Sequence, residues 1–151
     1  MFSFTESTTI DADIAQVWRI VSDVPHWHVW DPHVEQSRFE GEFAVGGKGW
    51  TKPKGAPAGS FVVTDVDPQR GYSTRSPMPF GKMLISNTYQ PVESGRVAVG
   101  RTVEVHGPFV PIFRLFWAKG MRADVRTSFT ALEAEARRRV GEAAGTHADA
   151  G

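Results

Sequence analysis

A dozen residues near the start of the chain, Asp23 to Val34 (DVPHWHVWDPHV), hold three histidines and two tryptophans. Neutral imidazole is the commonest metal-binding side chain, so His26, His28 and His33 could be metal ligands. The tryptophans could equally line a substrate pocket or pack in the core. The chemistry of this segment therefore depends on the elements that position it.

Composition indicates one globular domain without strong charge. The 151 residues are 40% hydrophobic, and 17 basic side chains balance 17 acidic ones, so the formal net charge is zero. This balance argues against general binding to nucleic acid or to an anionic membrane, although it leaves room for a local charged patch. The sequence has no cysteine, which excludes disulfides, thiolate metal ligands and cysteine nucleophiles.

Two segments bear on export and membrane insertion. The first residues, MFSFTESTTIDAD, lack a basic n-region and predict no secretory signal. The most apolar segment, PFVPIFRLFWAKG, contains Arg114 and is too short to span a bilayer. We therefore expect a cytoplasmic protein without an integral membrane segment.

The order of patterns along the chain predicts a strand, short helices and then an antiparallel meander. Phe2–Ile10 has strand composition, and DIAQVWRIVSD has apolar residues at helical spacing before Pro25 ends the helix. Six further strand-like runs lie at hairpin distances from one another. These runs are VEQSRFE, KGWTK, SFVVTDVD, GYSTRS, KMLISNTYQPV and RVAVGRTVEV.

One long amphipathic helix is predicted from Pro111 to about Arg138. Phe116 and Met121 lie near the edges of its apolar face and should line a hollow between helix and sheet. Residues 139–151 are small and polar and predict a flexible tail, which leaves 1–138 as the folded domain. The side chains expected to pack against the sheet are Phe113, Trp117, Val125, Phe129 and Leu132.

Several local patterns, in order along the chain, resemble the START-like or SRPBCC superfamily. STTIDADIAQVWRIVSDVPHWHVWDPHV is similar to its first strand, capped helix and tryptophan-rich second helix, and FAVGGKGWTKPKG, VVTDVDPQRGY and YQPVESGRVAVGRTVEVHGP resemble its later hairpins. The resemblance covers Phe2 to Arg138 and implies an α+β helix-grip fold. In this fold a strongly curved antiparallel sheet of six to seven strands wraps around the long C-terminal helix, with two short helices after the first strand. Such a sheet leaves a hollow in which ligands bind.

The resemblance also gives an interpretation of the histidine-rich segment. In this superfamily the segment is structural and lies at the mouth of the cavity, with Trp27 and Trp30 packing inward. A metal site would need three imidazoles to converge, and the sequence holds no second cluster of ligands. We therefore expect no metal and no other cofactor.

Three polar residues interrupt apolar rows that should face the hollow. Odd-numbered residues form the more apolar faces of the last two strands, so Asn87 and Arg101 should point inward, and Asp124 falls within the apolar arc of the helix. They could anchor a polar group of the ligand, or Arg101 and Asp124 could simply pair with each other. For both strands to present odd residues inward, the ESGR connection must be the three-residue loop Ser94–Arg96, with Gly95 or a neighbour at positive φ, or contain a β-bulge.

Three functions remain open from the sequence. The first is binding of a small hydrophobic molecule, including aromatic and polyketide-like ones, and the second is a metal-free cyclase, aromatase or dehydratase acting on a poly-keto substrate. The third is a helper or protein-interaction domain. Catalysis would need a general acid or base, for which the candidates are Asp124, Tyr89 and, at the cavity mouth, His28 or His33. Related superfamily members often carry a histidine where Asn87 aligns, which weakens the enzyme interpretation.

The expected ligand site gathers these residues from the sheet, the helix and the tryptophan segment. We expect the protein to be a monomer or a weak homodimer with no nucleic-acid partner. The residues expected to line the site are Trp27, Trp30, Trp50, Met83, Ile85, Asn87, Tyr89, Arg101, Phe113, Phe116, Trp117, Met121 and Asp124.

Overall fold

A single curled sheet of seven antiparallel strands forms the body of the protein in this computed structural model. The structure describes residues 1–150, with the side chains of residues 1–142. The strands are β1 (Phe2–Asp11), β2 (Val34–Phe39), β3 (Lys48–Pro53), β4 (Gly59–Asp67), β5 (Gly71–Met78), β6 (Gly81–Glu93) and β7 (Arg96–His106). They lie in the order β1-β7-β6-β5-β4-β3-β2, so β2 to β7 form the predicted meander and β1 pairs with β7.

Helices occupy two stretches of the chain, one after β1 and one after β7. The first pair is α1 (Ile14–Val21) and α2 (Trp27–Trp30), with a 3-10 turn, Val24–His26, between them. The second pair is α3 (Val110–Phe116) and α4 (Ala118–Ala150), and α4 packs on β1, α1 and α2. This arrangement confirms the predicted helix-grip fold. No helix within residues 1–150 combines the length and the apolar character needed to cross a membrane.

The C-terminal helix is interrupted, contrary to the prediction of one continuous helix. The backbone at Trp117 departs from helical geometry (φ −121°, ψ −26°) and separates α3 from α4. Trp117 is 49% exposed and Phe116 is 70% exposed. The expectations that Trp117 packs on the sheet and that Phe116 lines the hollow are therefore wrong, because one helical phase does not continue through the break. The other members of the predicted apolar face are buried as expected: Phe113, Val125, Phe129 and Leu132.

Helix α4 continues beyond the predicted end of the domain. Residues 139–142 are helical, so the helix does not stop at Arg138. The rest of the predicted tail, 143–151, lies outside the residues whose side chains are described, and its flexibility stays a prediction.

The connection between β6 and β7 determines which residues face inward. A two-residue turn, Ser94–Gly95, joins the strands, with Gly95 at φ 76°. A β-bulge then leaves Val92 without a cross-strand partner, so that Pro91 pairs with Val97 and odd residues oppose odd residues along the rest of the ladder. The bulge alternative of the prediction is confirmed, and the three-residue loop is wrong.

Candidate ligand-binding cavity

A partly open cavity of about 190 Å³ lies among the sheet, α2 and α4. This volume is below the roughly 300–1,000 Å³ of pockets that hold drug-sized ligands, so the cavity suits a smaller molecule. Six aromatic side chains form much of its wall: Trp27, Trp30, Phe61, Tyr72, Tyr89 and Phe129. The remaining lining residues are Val21, Asp31, Val34, Thr51, Thr74, Ser76, Ile85, Asn87, Arg101, Ser128 and Leu132.

Both tryptophans of the α2 segment line the cavity, as the resemblance implies. Trp27 is fixed in place, because its ring stacks on Phe61 with centroids 5.8 Å apart and its Nε1 donates a hydrogen bond to the Val21 carbonyl oxygen at 3.0 Å. The Trp30 Nε1 is buried and has no hydrogen-bond partner among the described residues. A buried N–H without an acceptor costs free energy, so this group lowers the stability of the α2 segment.

Three polar cavity residues form one row across β5, β6 and β7. Asn87 is directly opposite Tyr72 on one side and Arg101 on the other. Arg101 Nε donates a 2.6 Å hydrogen bond to Asn87 Oδ1, and the Arg101 guanidinium lies 6.0 Å from the centroid of the Phe129 ring. Asn87 is 4% exposed, so little water competes for this charge-assisted bond. The guanidinium is therefore held in one orientation.

The fixed guanidinium of Arg101 forms no ion pair within residues 1–142. Glu6 lies opposite Arg101 on β1, but its carboxylate pairs with two cations of α4. Its oxygens lie 3.1 Å from Arg122 Nε and 3.5 Å from Arg126 Nε. The Nη groups of Arg101 are consequently available to an oxygen atom in the cavity.

Both tyrosines of the chain line the cavity beside this arginine. Burial raises the pKa of Tyr72, and the Arg101 guanidinium offsets part of that shift. Burial, reinforced by the neighbouring Tyr72, holds the pKa of Tyr89 well above its ordinary value. Both phenols are therefore protonated at neutral pH, where they can donate a hydrogen bond but cannot serve as general bases.

The segment after α2 is tied to α4 by two side-chain contacts. Asp31 Oδ2 accepts a 3.0 Å hydrogen bond from Ser128 Oγ, and Asp31 Oδ1 accepts one from the His33 backbone N–H at 2.9 Å. One helical turn away, His33 Nδ1 lies 3.6 Å from Asp124 Oδ1. These contacts hold the cavity mouth against the helix, with both Asp31 oxygens occupied.

Asp124 lies outside the cavity, which corrects the predicted three-residue anchor. Its side chain is 57% exposed and pairs with His33, not with Arg101. The prediction extrapolated the helical phase from Phe113, and the break at Trp117 makes that extrapolation invalid. Ser128, one turn further along α4, is the polar residue of the helix that reaches the cavity.

Several other predicted lining residues also lie away from the cavity. Trp50 occupies the opposite face of β3 from the lining residue Thr51, and the Arg38 guanidinium lies 5.1 Å from its ring centroid. Phe113 packs in the core against Phe2, with ring centroids 6.3 Å apart. The partly buried Met83 and Met121 pack on the same core, and Phe116 and Trp117 are exposed; none of the four lines the cavity.

Two cavity residues, Asp31 and Ser128, are not among the residues predicted from the sequence, although each has a weak local signal. Asp31 directly follows the half-buried Trp30, and a carboxylate at the edge of an apolar segment needs hydrogen bonds. Ser128 lies between the buried Val125 and Leu132, at positions that share one helical face. A small polar residue on that face indicates an inward hydroxyl.

The histidines of the opening segment do not converge. His26 Nδ1 lies 2.9 Å from a carboxylate oxygen of Asp23, His33 faces Asp124, and His28 is exposed. Among residues 1–142, no group of three or more histidine, aspartate or glutamate side chains is placed to hold a metal ion.

Comparison with known proteins gives a family match and a common fold. The family model described as polyketide cyclase/dehydrase and lipid transport matches residues 1–137. A search of curated protein sequences gives no match.

Solved structures share the fold at low sequence identity. The Zhui aromatase/cyclase from Streptomyces sp. R1128 is 16% identical, with a TM-score of 0.73 over 92% of this chain and 95% of that one. A truncated norcoclaurine synthase from Thalictrum flavum is 14% identical, with a TM-score of 0.70 over 87% and 91%. A START superfamily protein from Mycobacterium smegmatis is 12% identical, with a TM-score of 0.69 over 90% and 97%.

Proposed function

Because the chain belongs to the polyketide cyclase/dehydrase and lipid transport family, we propose that its cavity binds a small hydrophobic, aromatic or polyketide-like molecule that carries an oxygen acceptor. The observation that carries this proposal is the guanidinium of Arg101. Asn87 and Phe129 fix it in an aromatic-walled cavity, and it forms no ion pair within residues 1–142.

The cavity provides both parts of such a recognition site. Aromatic walls bury the flat apolar surface of a ligand, and a partly buried guanidinium recovers its lost hydration when an anionic or carbonyl oxygen reaches its Nη groups. The volume of about 190 Å³ favours a ligand of one or two rings.

The test compares two probes of similar shape. We expect 2-naphthoate to quench tryptophan fluorescence on binding, because Trp27 and Trp30 line the cavity, and 2-methylnaphthalene to bind more weakly. Arg101→Leu should weaken naphthoate binding about 10- to 100-fold, since a hydrogen bond to a charged group contributes about 1.5–3 kcal/mol, and should leave methylnaphthalene binding nearly unchanged.

Arg75→Leu is the matched control, because Arg75 is an exposed arginine of the same sheet. Its naphthoate affinity should equal that of the unmodified protein. Equal affinity of Arg101→Leu for naphthoate, with an unchanged melting temperature, would exclude Arg101 as the anchor.

Cyclisation of a poly-keto substrate is a second candidate function, favoured by the two protonated tyrosines beside Arg101. Phenol donors and a guanidinium can stabilise an enolate oxygen, while the cavity wall holds the chain in a reactive fold. Asp31 lines the cavity but both its carboxylate oxygens accept hydrogen bonds, which disfavours it as a free base. The test is incubation of a synthetic poly-β-ketothioester with the protein, with Tyr72→Phe as the comparison. A product distribution identical to that of the spontaneous reaction leaves binding as the function.

A further inference from the structure

Helix α3 carries apolar side chains on two opposite faces. Phe113 points into the core, whereas Ile112, Leu115 and Phe116, spaced i, i+3 and i+4, share the other face and are exposed. A helix that is apolar all round is normally buried on both sides. Within residues 1–142, nothing covers the outer face of α3.

The exposed surface extends beyond α3. Trp117 follows directly, with its ring centroid 5.9 Å from that of Phe116. Phe80 is 93% exposed and lies at the tip of the β5–β6 hairpin. The hairpin tip packs closely on Gly107, since a Cβ added to Gly107 would lie 2.8 Å from the Phe80 carbonyl oxygen. Gly107 precedes α3 by three residues, so the hairpin tip and α3 lie at one end of the molecule. We call the exposed residues Phe80, Ile112, Leu115, Phe116 and Trp117 the apolar end.

Basic residues without an ion pair flank the apolar end in the sequence, and the guanidinium of one of them, Arg114, lies 5.7 Å from the centroid of the Phe2 ring. The chain has no aspartate or glutamate between Glu104 and Asp124, but it has three basic residues in that interval. One of them, Arg122, pairs with Glu6, whereas Arg114 and Lys119 form no ion pair within the described side chains. Lys82, beside the hairpin tip, is exposed and equally without an ion pair there. The apolar end therefore carries three basic side chains that no described carboxylate pairs.

We propose that the apolar end docks on the surface of an anionic lipid bilayer. Aromatic and leucine side chains flanked by Lys and Arg are the composition of interfacial membrane-binding surfaces, in which the apolar groups enter the headgroup boundary and the cations meet lipid phosphates. A second copy of the chain is a poorer partner, because a two-fold interface would bring the same cations together. This docking is independent of what the cavity binds.

Co-sedimentation of the full chain with lipid vesicles tests the proposal. We expect binding to equimolar phosphatidylcholine–phosphatidylserine vesicles, and at least several-fold weaker binding to phosphatidylcholine alone. Leu115→Ser and Phe116→Ser should each lower the partition coefficient about ten-fold or more, the effect of withdrawing one large apolar side chain from the interface. Lys119→Gln should lower it about five-fold, since each basic residue near an anionic surface contributes about 1 kcal/mol.

Val45→Ser is the matched control, because Val45 is an exposed apolar residue of the β2–β3 connection; it should bind as the unmodified protein does. The apolar-end residues are exposed, so their variants should keep the melting temperature. Equal binding to both vesicle types, no binding to either, or unchanged binding of Leu115→Ser and Phe116→Ser would overturn the proposal. Dimerisation that Phe116→Ser abolishes, without vesicle binding, would assign the apolar end to self-association instead.

Discussion

Replacing Ser128 with alanine should loosen the attachment of the cavity mouth to α4. Ser128 is buried, and its hydroxyl donates a 3.0 Å hydrogen bond to Asp31 Oδ2. A hydrogen bond to a charged group contributes about 1.5–3 kcal/mol. The better helix propensity of alanine offsets about 0.5 kcal/mol of this loss in stability. The free energy of unfolding should therefore fall by about 1–2.5 kcal/mol.

Urea unfolding followed by tryptophan fluorescence measures this loss. The midpoint should move to lower urea with an unchanged slope, because the variant exposes the same surface on unfolding. Thr127→Ala is the matched control: Thr127 is the adjacent, exposed residue, and its hydroxyl donates to the Ala123 carbonyl oxygen at 3.1 Å within the helix. Its stability should be unchanged or slightly higher.

A double-mutant cycle with Asp31→Ala separates the hydrogen bond from other effects. If the bond stabilises the mouth, the loss of unfolding free energy caused by Asp31→Ala should be at least about 1 kcal/mol smaller in the Ser128→Ala background than in the unmodified protein. A coupling energy indistinguishable from zero would refute the reasoning, because the two side chains would then contribute independently.

Two further predictions concern the tyrosines and a glycine. The folded protein should develop little tyrosinate absorbance near pH 10, because the pKa values of Tyr72 and Tyr89 are both raised. The unfolded chain loses these protons near pH 10 while the folded chain keeps them, so the free energy of unfolding should decrease as the pH rises above about 10; a folded-state titration at the ordinary pKa would contradict this. Gly71→Ala should destabilise the protein by about 1–3 kcal/mol in urea unfolding, since its Cβ would lie 2.3 Å from the Asn87 carbonyl oxygen. Gly59→Ala, with no atom within 4 Å of the added Cβ, should be nearly neutral, and an equal loss in both variants would show that the close approach to Asn87 is not the cause.

The sheet could be predicted from the sequence because its signals are local. Alternation of apolar and polar residues places Asn87 and Arg101 on the inward faces of β6 and β7, and the structure brings them together. Counting residues through the ESGR connection showed that a tight turn needs a bulge, and the bulge is present. The role of both residues in binding a ligand stays a prediction.

The helical side of the cavity could not be predicted in the same way. A helical wheel assumes that one helical phase continues along the whole helix. No residue pattern around Trp117 predicts that the backbone leaves helical geometry there. Because the break changes the helical phase, the helical wheel wrongly predicts that Asp124 faces the cavity and does not predict that Ser128 does. Contacts such as Asp31 with Ser128 join residues that are far apart in sequence. No local pattern predicts them.

The bulge at Val92 makes the composition of the cavity wall depend on chain length as well as on residue type. Removal of Val92 would only delete the bulge and leave Asn87 opposite Arg101, whereas one residue inserted beside it and not absorbed by a second bulge would shift the pairing of β6 and β7 by one position, so that Asn87 and Arg101 could no longer share a face. A single insertion in a surface hairpin is therefore able to exchange a whole row of cavity residues at once. In relatives whose β6–β7 hairpin has another length, the same strand sequence need not place the same residues in the cavity. Cavity residues can be compared only when the sequence alignment places the insertion or deletion at the bulge.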